Sequence, residues 1–527
     1  MSRKRVVDGA VAAVLALLAL VVALPFRAEA LHLTPLVSLG WDAALHATEG
    51  LDLFDDMRLG RPLDAFSLLV SRHWWGPAWA LVSAPFQAAF GPSLAAASLP
   101  SLVVFVLAPA VAFLLARRLV PAMGPVSAVL TGLVVAGFFL RSPMLLEISA
   151  WPMLESLGGL VALVAFLFFA RREEPGARRM AFLAGTLLFL LKYHFGFFVL
   201  ATLGFVVWRE ESPGSKRRLA AAARALLLRG AGSGILALAF LLSAVRFVLE
   251  ARGGDVLARR VPSVSNVAWG AFLLLVLFGA VRRQSLAEAW NGASGTLRDL
   301  VLFGALPCAV WCLDPANVRG WYRQIFQPTE APERNPLAKL LAFWGFLRED
   351  YTIGAGAAGL VALGVVLAVV LPGNRTRRAL AAFAIWPVVV MSLSAYPVEP
   401  RFLACLAPGL FAAAASGLAA GASWPGRWWR EAALVASAVI LALGRGDTRW
   451  QATTAARGVP VLIRRGGNRG DRSGHRGGPR GGARRRAPFR GPTGLAHGAP
   501  RAPSLSPRPR ARGRGRGGEP VSVRSAG

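Results

Sequence analysis

Charged residues are scarce in this chain, and their scarcity excludes a soluble protein. Asp, Glu, Lys and Arg make up 17% of the 527 residues, hydrophobic residues make up 55%, and the mean hydropathy is +0.50. A soluble protein of this length needs many more polar side chains to cover its surface. The composition therefore predicts a polytopic membrane protein.

Cysteine is also rare, which excludes a fold held by disulfides. The chain has three cysteines, and Cys308 and Cys312 lie one helical turn apart in an apolar run. A helix would place these two side chains poorly for a bridge. The sequence shows neither a disulfide framework nor zinc-ligand spacing.

Long apolar runs are abundant, and a run of about 20 residues crosses a bilayer as a helix. Thirteen runs approach that length: 9–25, 94–116, 125–141, 153–170, 180–191, 195–208, 230–250, 264–281, 300–313, 351–371, 379–395, 402–422 and 431–444. They predict an all-α fold of about 13 transmembrane helices, joined on the outer face by loops and juxtamembrane helices. The first run follows a basic N-terminus and is interpreted as a signal anchor.

The charges of the connecting loops predict the orientation of the chain. With the N-terminus in the cytoplasm, the inner connectors hold 23 basic and 8 acidic residues, whereas the outer side holds 19 and 18. This difference satisfies the positive-inside rule and places the C-terminus on the outer face. The long loops 26–93 and 313–350 then lie outside, where we expect the chemistry to occur.

Two segments are assigned by the same charge argument. Residues 77–91 are apolar but short, and counting them as a span would move every later basic loop to the outer side. We therefore expect them to lie along the outer interface. Residues 180–208 have basic loops at both ends, so we expect a hairpin with Lys192 at its outer tip.

The first outer loop carries a candidate general base. Asp42, His46 and Glu49 recur at i, i+4 and i+7, which places them on one face of a short helix. A carboxylate that is partly desolvated near a membrane can accept a proton at working pH. The alternative is a solvated acidic loop face. Asp52, Asp55 and Asp56 crowd the same loop, so Mg²⁺ or Mn²⁺ is an alternative there, although no metal ligands are assigned.

Further charged residues belong to the same predicted face. Glu147 lies just outside the membrane and Glu155 opens the fourth span. Lys192 and Arg401 supply cations at a depth where a lipid phosphate would need them. For Arg401 the alternative is a local pair with Glu399.

The order of these features resembles the GT-C glycosyltransferases, and the similarity covers about residues 1–445. An early Asp, an apolar helix that ends in FG, a span that ends in ARRL, an outer acid, a KY hairpin and a late Y-x-x-E-x-R-F turn follow one another. The branch with the strongest resemblance is the bacterial one related to aminoarabinose transferases and protein mannosyltransferases. The chain departs from the family pattern at Ala43, where Glu is frequent.

The resemblance implies a role for each matching residue. Asp42 matches the catalytic Asp of the first loop and Glu155 the second outer carboxylate, while Lys192 and Arg401 match the residues that bind the donor phosphate. Supporting positions are His46, Glu147, Tyr396, Glu399 and His73, and Trp74 and Trp75 replace the two prolines that commonly follow the position of His73.

The implied activity is inverting transfer of a sugar from a polyprenyl-phosphate donor to a lipid, glycan or protein acceptor. The reaction would occur on the outer face of the bacterial cytoplasmic (inner) membrane. Phosphate is the leaving group, so nearby cations would stabilise its developing charge while Asp42 accepts the acceptor's proton. Membrane lipids are the other expected partners, no cofactor is assigned and no nucleotide-binding fold is visible.

The C-terminal segment differs from the rest of the chain. Residues 446–463 form a short post-membrane segment, and residues 464–527 contain 17 Arg, 16 Gly and 8 Pro with two acids. This composition cannot bury a core and predicts a disordered tail. Because the predicted topology leaves the tail outside, we expect anionic lipid rather than nucleic acid as its partner. The alternative is that a frameshift produced the tail.

Two other functions compete with glycosyl transfer. A transporter or lipid flippase would need charged residues along a path through the membrane, and charges are scarce within the predicted spans, apart from Arg246. No internal repeat favours a transporter. A structural scaffold would not explain why the long loops lie on one face.

Overall fold

The computed structural model describes a helical molecule, with no strand among the residues that it describes. These are residues 3–33, 41–71, 77–228, 237–238, 241–242, 290–312, 335–352, 354–393, 399–421 and 427–443. Contacts divide the chain into residues Met1–Gly466 and Gly467–Gly527, and all described residues belong to the first unit. Predictions for Tyr396, His73, the run 264–281, nearly all of the run 230–250, and the tail lie outside the described residues.

Eleven helices lie among the described residues from 3 to 228. In chain order they are α1 Arg3–Leu33, α2 Trp41–Arg58, α3 Pro62–Ser71, α4 Ala78–Phe90, α5 Leu94–Leu119, α6 Pro125–Leu140, α7 Pro143–Ala150, α8 Leu154–Phe169, α9 Pro175–Leu191, α10 Tyr193–Glu210 and α11 Pro213–Leu228. Proline opens several of them, because its missing N–H costs nothing in the first turn. Ser93 caps α5 by accepting a hydrogen bond from the N–H of Ala96 at 3.1 Å.

The described helices of the second half include two π-helical turns and a 3₁₀ helix. They are α12 Gly295–Leu300, the π turn Val301–Ala305, α13 Leu306–Cys312, α14 Pro336–Phe346, the π turn Leu347–Tyr351, α15 Ala355–Val370, α16 Arg375–Leu393, the 3₁₀ helix Pro400–Cys405, α17 Ala407–Gly421 and α18 Arg427–Leu443. Several of these ranges match the predicted apolar runs to within a few residues.

Four described helices are long and apolar enough to cross a membrane, which agrees with the predicted all-α polytopic fold. They are Lys4–His32, Leu94–Leu119, Gly295–Cys312 and Arg375–Leu393, and bent pairs of helices raise the number to six. Further apolar helices are shorter. The total of 13 spans stays a prediction.

Hydrogen bonds between connectors show which of them lie at the same end of the helix bundle. The side chain of Arg172 donates to Glu210 at 2.7 Å and to Thr376 at 3.0 Å, and Asn374 donates to the carbonyl of Leu119 at 3.3 Å. Lys4 reaches the carbonyl of Pro121 at 2.9 Å. The N-terminus and several basic connectors therefore meet at one end, which we call the basic end.

Helices α9 and α10 form a hairpin between the two ends. They pack against each other, and Glu210 at the end of α10 returns to Arg172 at the basic end. Lys192 occupies the break between them with an extended backbone, φ −151° and ψ 102°. The residue that the sequence places at the hairpin tip thus lies away from the basic end.

The first connection packs onto the end of the bundle opposite the basic end. Helix α4, the segment expected at the interface, packs against α2 and α5. At Gly50 a Cβ would lie 2.5 Å from Ser83 Oγ, so only glycine permits this approach of α2 to α4. Trp79 anchors the contact by donating its indole N–H to the carbonyl of His46 at 3.0 Å.

Candidate functional site

The candidate site centres on a buried ion pair between α8 and the tip of the α9–α10 hairpin. Lys192 Nζ lies 2.5 Å from Glu155 Oε1, and the side chains are 1% and 3% exposed. Glu155 occupies the first turn of α8, where the helix dipole favours a negative charge. Its other oxygen, Oε2, is buried and has no hydrogen-bond partner among the described residues.

The 3₁₀ helix Pro400–Cys405 lies against this pair. Cys405 Sγ donates to the carbonyl of Glu155 at 3.4 Å, and the ring of Phe402 lies 5.0 Å from Lys192 Nζ. The guanidinium of Arg401 lies 5.3 Å from the same ring. One aromatic ring therefore contacts both predicted phosphate-binding cations.

Arg401 forms the local pair with Glu399 that the sequence left as an alternative. Its Nε lies 2.5 Å from Glu399 Oε2, and both side chains are partly exposed. Burial raises the pKa of Glu399; Lys192 opposes this shift and Glu155 adds to it. Burial lowers the pKa of Arg401 to about 10, so the side chain is still a cation at neutral pH. The pair leaves Arg401 partly open to a phosphate.

Helix α2 brings a third group of charged residues to the site. His46 and Glu49 are 1% and 2% exposed, and His46 Nδ1 lies 3.3 Å from Glu49 Oε2. His46 lies within electrostatic range of Glu155, so α2 brings this residue near the buried pair. Burial of these two residues is incompatible with a fully solvated acidic face.

The predicted base, Asp42, lies in the first turn of α2, one helical turn before His46. The backbone of Asp42 is described and its side chain is not. Within the described residues, no group of three His, Cys, Asp or Glu side chains is arranged to hold a metal ion.

Glu147 lies at the edge of the site on α7. Helix α7 is bent by 65° from α6, and the sequence predicts that Glu147 lies just outside the membrane. Burial raises the pKa of Glu147 to about 7, and the negative charge of Asp350 adds to the shift. Glu147 thus faces the π turn Leu347–Tyr351, which carries Asp350.

An apolar cavity of about 260 Å³ adjoins the site between α14, α16 and the 3₁₀ helix. Its walls include Phe343, Leu347, Tyr351, Val388 and Leu403. Leu403 follows Phe402 directly, so the cavity begins beside the two cations. The cavity therefore adjoins the 3₁₀ helix that carries Arg401 and Phe402.

Tyr351, Phe402 and Cys405 were missed by the sequence reasoning. Phe402 stands inside the late motif, and its position beside Arg401 could have indicated a contact. Tyr351 is one of only four tyrosines in the chain, and this rarity was its one signal. Cys405 carries no signal, because its contact with Glu155 joins residues 250 positions apart.

Comparisons with known proteins give low similarities. No protein-family model matches the chain, and no curated protein matches it either. The solved archaeal oligosaccharyltransferase AglB from Archaeoglobus fulgidus, in complex with an inhibitory peptide and a dolichol-phosphate, is similar with a TM-score of 0.38 and 12% identity. That similarity covers 88% of this chain and 55% of AglB, so this chain spans about half the length of AglB.

A second solved structure, ArnT from Cupriavidus metallidurans in the apo state, is similar with a TM-score of 0.26 and 17% identity. This match covers 73% of this chain and 74% of ArnT. Both proteins are GT-C membrane glycosyltransferases, the superfamily that the sequence resembles. Similarity at this level does not assign a function.

The geometry assembles five of the nine predicted residues. Glu155 and Lys192 pair directly, Glu399 and Arg401 pair beside them, and His46 faces them from α2. Glu147 lies at the edge, and Asp42 is placed by its backbone alone. The described part of the molecule therefore contains a buried charged site at the end of an apolar helix bundle, next to an apolar cavity.

Proposed function

We propose that the protein is an inverting membrane glycosyltransferase that uses a polyprenyl-phosphate sugar as its donor. The acceptor would be a lipid, a glycan or a protein on the outer face of the bacterial cytoplasmic membrane. The N-terminus would lie in the cytoplasm, and the C-terminus on the outer face.

One observation carries the proposal: Lys192 and Arg401 flank the ring of Phe402 at 5.0 and 5.3 Å. Cations are rare and costly inside an apolar bundle, so two of them beside one ring favour an anionic ligand. A lipid phosphate fits because the apolar cavity next to Leu403 offers room for part of its hydrocarbon chain. The same pair of cations would stabilise the phosphate as it leaves.

The reaction needs one displacement. An acceptor O–H or N–H attacks the anomeric carbon from the side opposite the phosphate, and the bond from that carbon to the phosphate oxygen breaks. Its electron pair stays on the phosphate, beside Lys192 and Arg401. Asp42 accepts the acceptor's proton, and His46, which shares the face of α2, is paired with Glu49. Glu155 holds Lys192 in place and is the second carboxylate of the site.

The test uses the purified protein in lipid vesicles with polyprenyl-phosphate sugars, measuring the release of polyprenyl phosphate. Asp42→Asn keeps the shape of the side chain but removes the proton acceptor, so turnover should fall roughly 10²- to 10⁴-fold while donor binding is retained. Asp64→Asn is the matched control, because Asp64 is an exposed carboxylate in the same connection. It should stay within a few-fold of the parent.

Near-parental turnover in Asp42→Asn, with a donor that the parent uses, would show that Asp42 is not the base. If the parent released no polyprenyl phosphate from any donor but moved a lipid or solute across the vesicle membrane, the transporter or flippase alternative would replace the enzyme.

A further inference from the structure

Tyr351 connects two parts of the molecule that are far apart in sequence. It ends the π turn Leu347–Tyr351, its side chain is fully buried, and its hydroxyl donates to the carbonyl oxygen of Pro400 at 2.8 Å. Pro400 stands between Glu399 and Arg401. The tyrosine therefore contacts the backbone of the charged turn without belonging to it.

The turn that receives this bond is the short 3₁₀ helix of the candidate site. It is a 3₁₀ helix of six residues, and its described backbone bonds include Phe402 N–H to the carbonyl of Glu399 at 3.2 Å and Leu406 N–H to that of Leu403 at 2.9 Å. Hydrogen bonds in 3₁₀ helices have poor geometry, so an external donor contributes more to fixing such a segment than it would to an α-helix.

The segment that carries Tyr351 is well fixed. The backbone N–H and the hydroxyl of Thr352 both donate to the carbonyl of Leu347, each at 2.7 Å, and close the π turn. The ring of Tyr351 lines the apolar cavity together with Leu403 and Leu406 of the facing segment. The Tyr351 hydroxyl thus donates to Pro400 from a turn that is closed by its own hydrogen bonds.

We propose that Tyr351 is a positioning residue for the phosphate-binding site. By holding the carbonyl of Pro400, it fixes the backbone from which Arg401 and Phe402 project toward Lys192. The inference rests on the proposed function. Tyr351 acts through the turn and does not touch the reacting atoms.

The first test is Tyr351→Phe, which keeps the buried ring and removes only the hydroxyl. A lost hydrogen bond of ordinary strength should raise the donor KM about three- to tenfold, and kcat should fall by a smaller factor. Thr186→Val is the matched control. The hydroxyl of Thr186 donates to the carbonyl of Phe303 at 2.8 Å and, more weakly, to that of Gly304 at 3.3 Å in the other π turn, so this variant also loses hydroxyl-to-carbonyl bonding. Its donor KM should equal that of the parent.

A double-mutant cycle separates positioning from general packing. If Tyr351 acts through Arg401, Tyr351→Phe should raise KM in the parent but have little effect in an Arg401→Ala background. Equal effects in both backgrounds would overturn the proposal, and so would a fall in kcat at unchanged KM.

Hydrogen exchange gives a readout that does not depend on turnover. The amides of Phe402 and Leu406 should exchange faster in Tyr351→Phe than in the parent, and Thr186→Val should leave them unchanged. Unchanged exchange in Tyr351→Phe would refute the inference. If Tyr351→Phe speeds the exchange but the parent protein turns over no donor, the proposed function is refuted. The inference that Tyr351 fixes the backbone of the turn then still holds.

Discussion

The ion pair of Lys192 with Glu155 is almost fully buried. Removing both partners of such a pair lowers stability much less than removing one of them. The Coulomb attraction offsets the desolvation of both charges, so removing the whole pair costs little. Removal of one partner leaves the other charge buried and uncompensated. The effect on stability therefore depends on whether one partner or both are changed.

We therefore expect Lys192→Met to lower the stability of the protein by about 3 to 5 kcal/mol, because it strands Glu155. The double variant Lys192→Met with Glu155→Gln should recover most of that loss. Thermal unfolding in detergent measures both. Arg171→Met is the control, since Arg171 pairs with Glu174 at 2.6 Å on the surface, and its loss should cost no more than about 1 kcal/mol. A double variant as unstable as the single one would contradict the argument.

Glu147 should make stability depend on pH near neutrality. Its folded pKa of about 7 lies above the ordinary carboxyl value, so the folded protein binds this proton more tightly than the unfolded chain. Stability should then fall as pH rises from about 4.5 to about 7. Glu147→Gln removes this loss. The free energy of unfolding of the variant should therefore exceed that of the parent by about 1 to 3 kcal/mol at pH 8 and equal it at pH 4.

The control for that experiment is a carboxylate whose pKa shifts the other way. Hydrogen bonding to Arg171 lowers the pKa of exposed Glu174, so Glu174→Gln should give no gain at pH 8. An equal gain in both variants would mean that overall charge, and not the site around Glu147, sets the pH dependence.

At the scale of elements, α15 and α17 pack together through small residues. A Cβ built on Gly417 would collide with the backbone carbonyl of Gly364, and one built on Gly364 would collide with the backbone of Ala414. Small residues let helix backbones approach closely, and this close packing is what associates helices in a membrane. Helix α17 follows the 3₁₀ helix directly, so this contact also fixes the base of the site.

Gly417→Ala should consequently destabilise the protein by several kcal/mol, since the obstructing atoms are backbone and cannot rotate away. Gly359→Ala in α15 is the control, because its added Cβ would meet nothing within 4 Å. It should be neutral or slightly stabilising, given the better helix propensity of alanine. The measurement is the thermal unfolding midpoint of each variant. Equal midpoints would refute the close approach of α15 and α17.

At the scale of the whole molecule, the two ends of the bundle differ in chemistry. The N-terminus and the connectors after α5, α8, α10 and α15 meet at the basic end, whereas the buried ion pair lies away from it. Positive charge favours the cytoplasmic side of a membrane, so the site should face outward.

Reporter fusions test this orientation. A fusion after Arg118 should report from the cytoplasm, and one after Gly458 from the outer side, because the predicted 13 spans are odd in number. A fusion within the α9–α10 hairpin, after Tyr193, should also report from outside. The first two fusions reporting from the same side would contradict the predicted number of crossings.

Sequence patterns alone predicted the membrane class, the position of several helices and the grouping of basic connectors at one end of the bundle. These properties follow from composition and from local runs, which depend on neighbours in the chain alone. The hairpin at Lys192 and the short helix 78–90 were predictable for the same reason, since loop charge and span length are counted along the sequence.

Which charged residues meet depends on how the helices pack. Lys192 could have paired with any nearby acid, and its choice of Glu155 depends on how α8 packs against α9. The contact of Tyr351 with Pro400 joins residues 49 positions apart through a buried hydroxyl. The packing of the helices determines which residues become partners. No local sequence pattern encodes this packing, because burial and the distances between side chains are set only when separate helices come together.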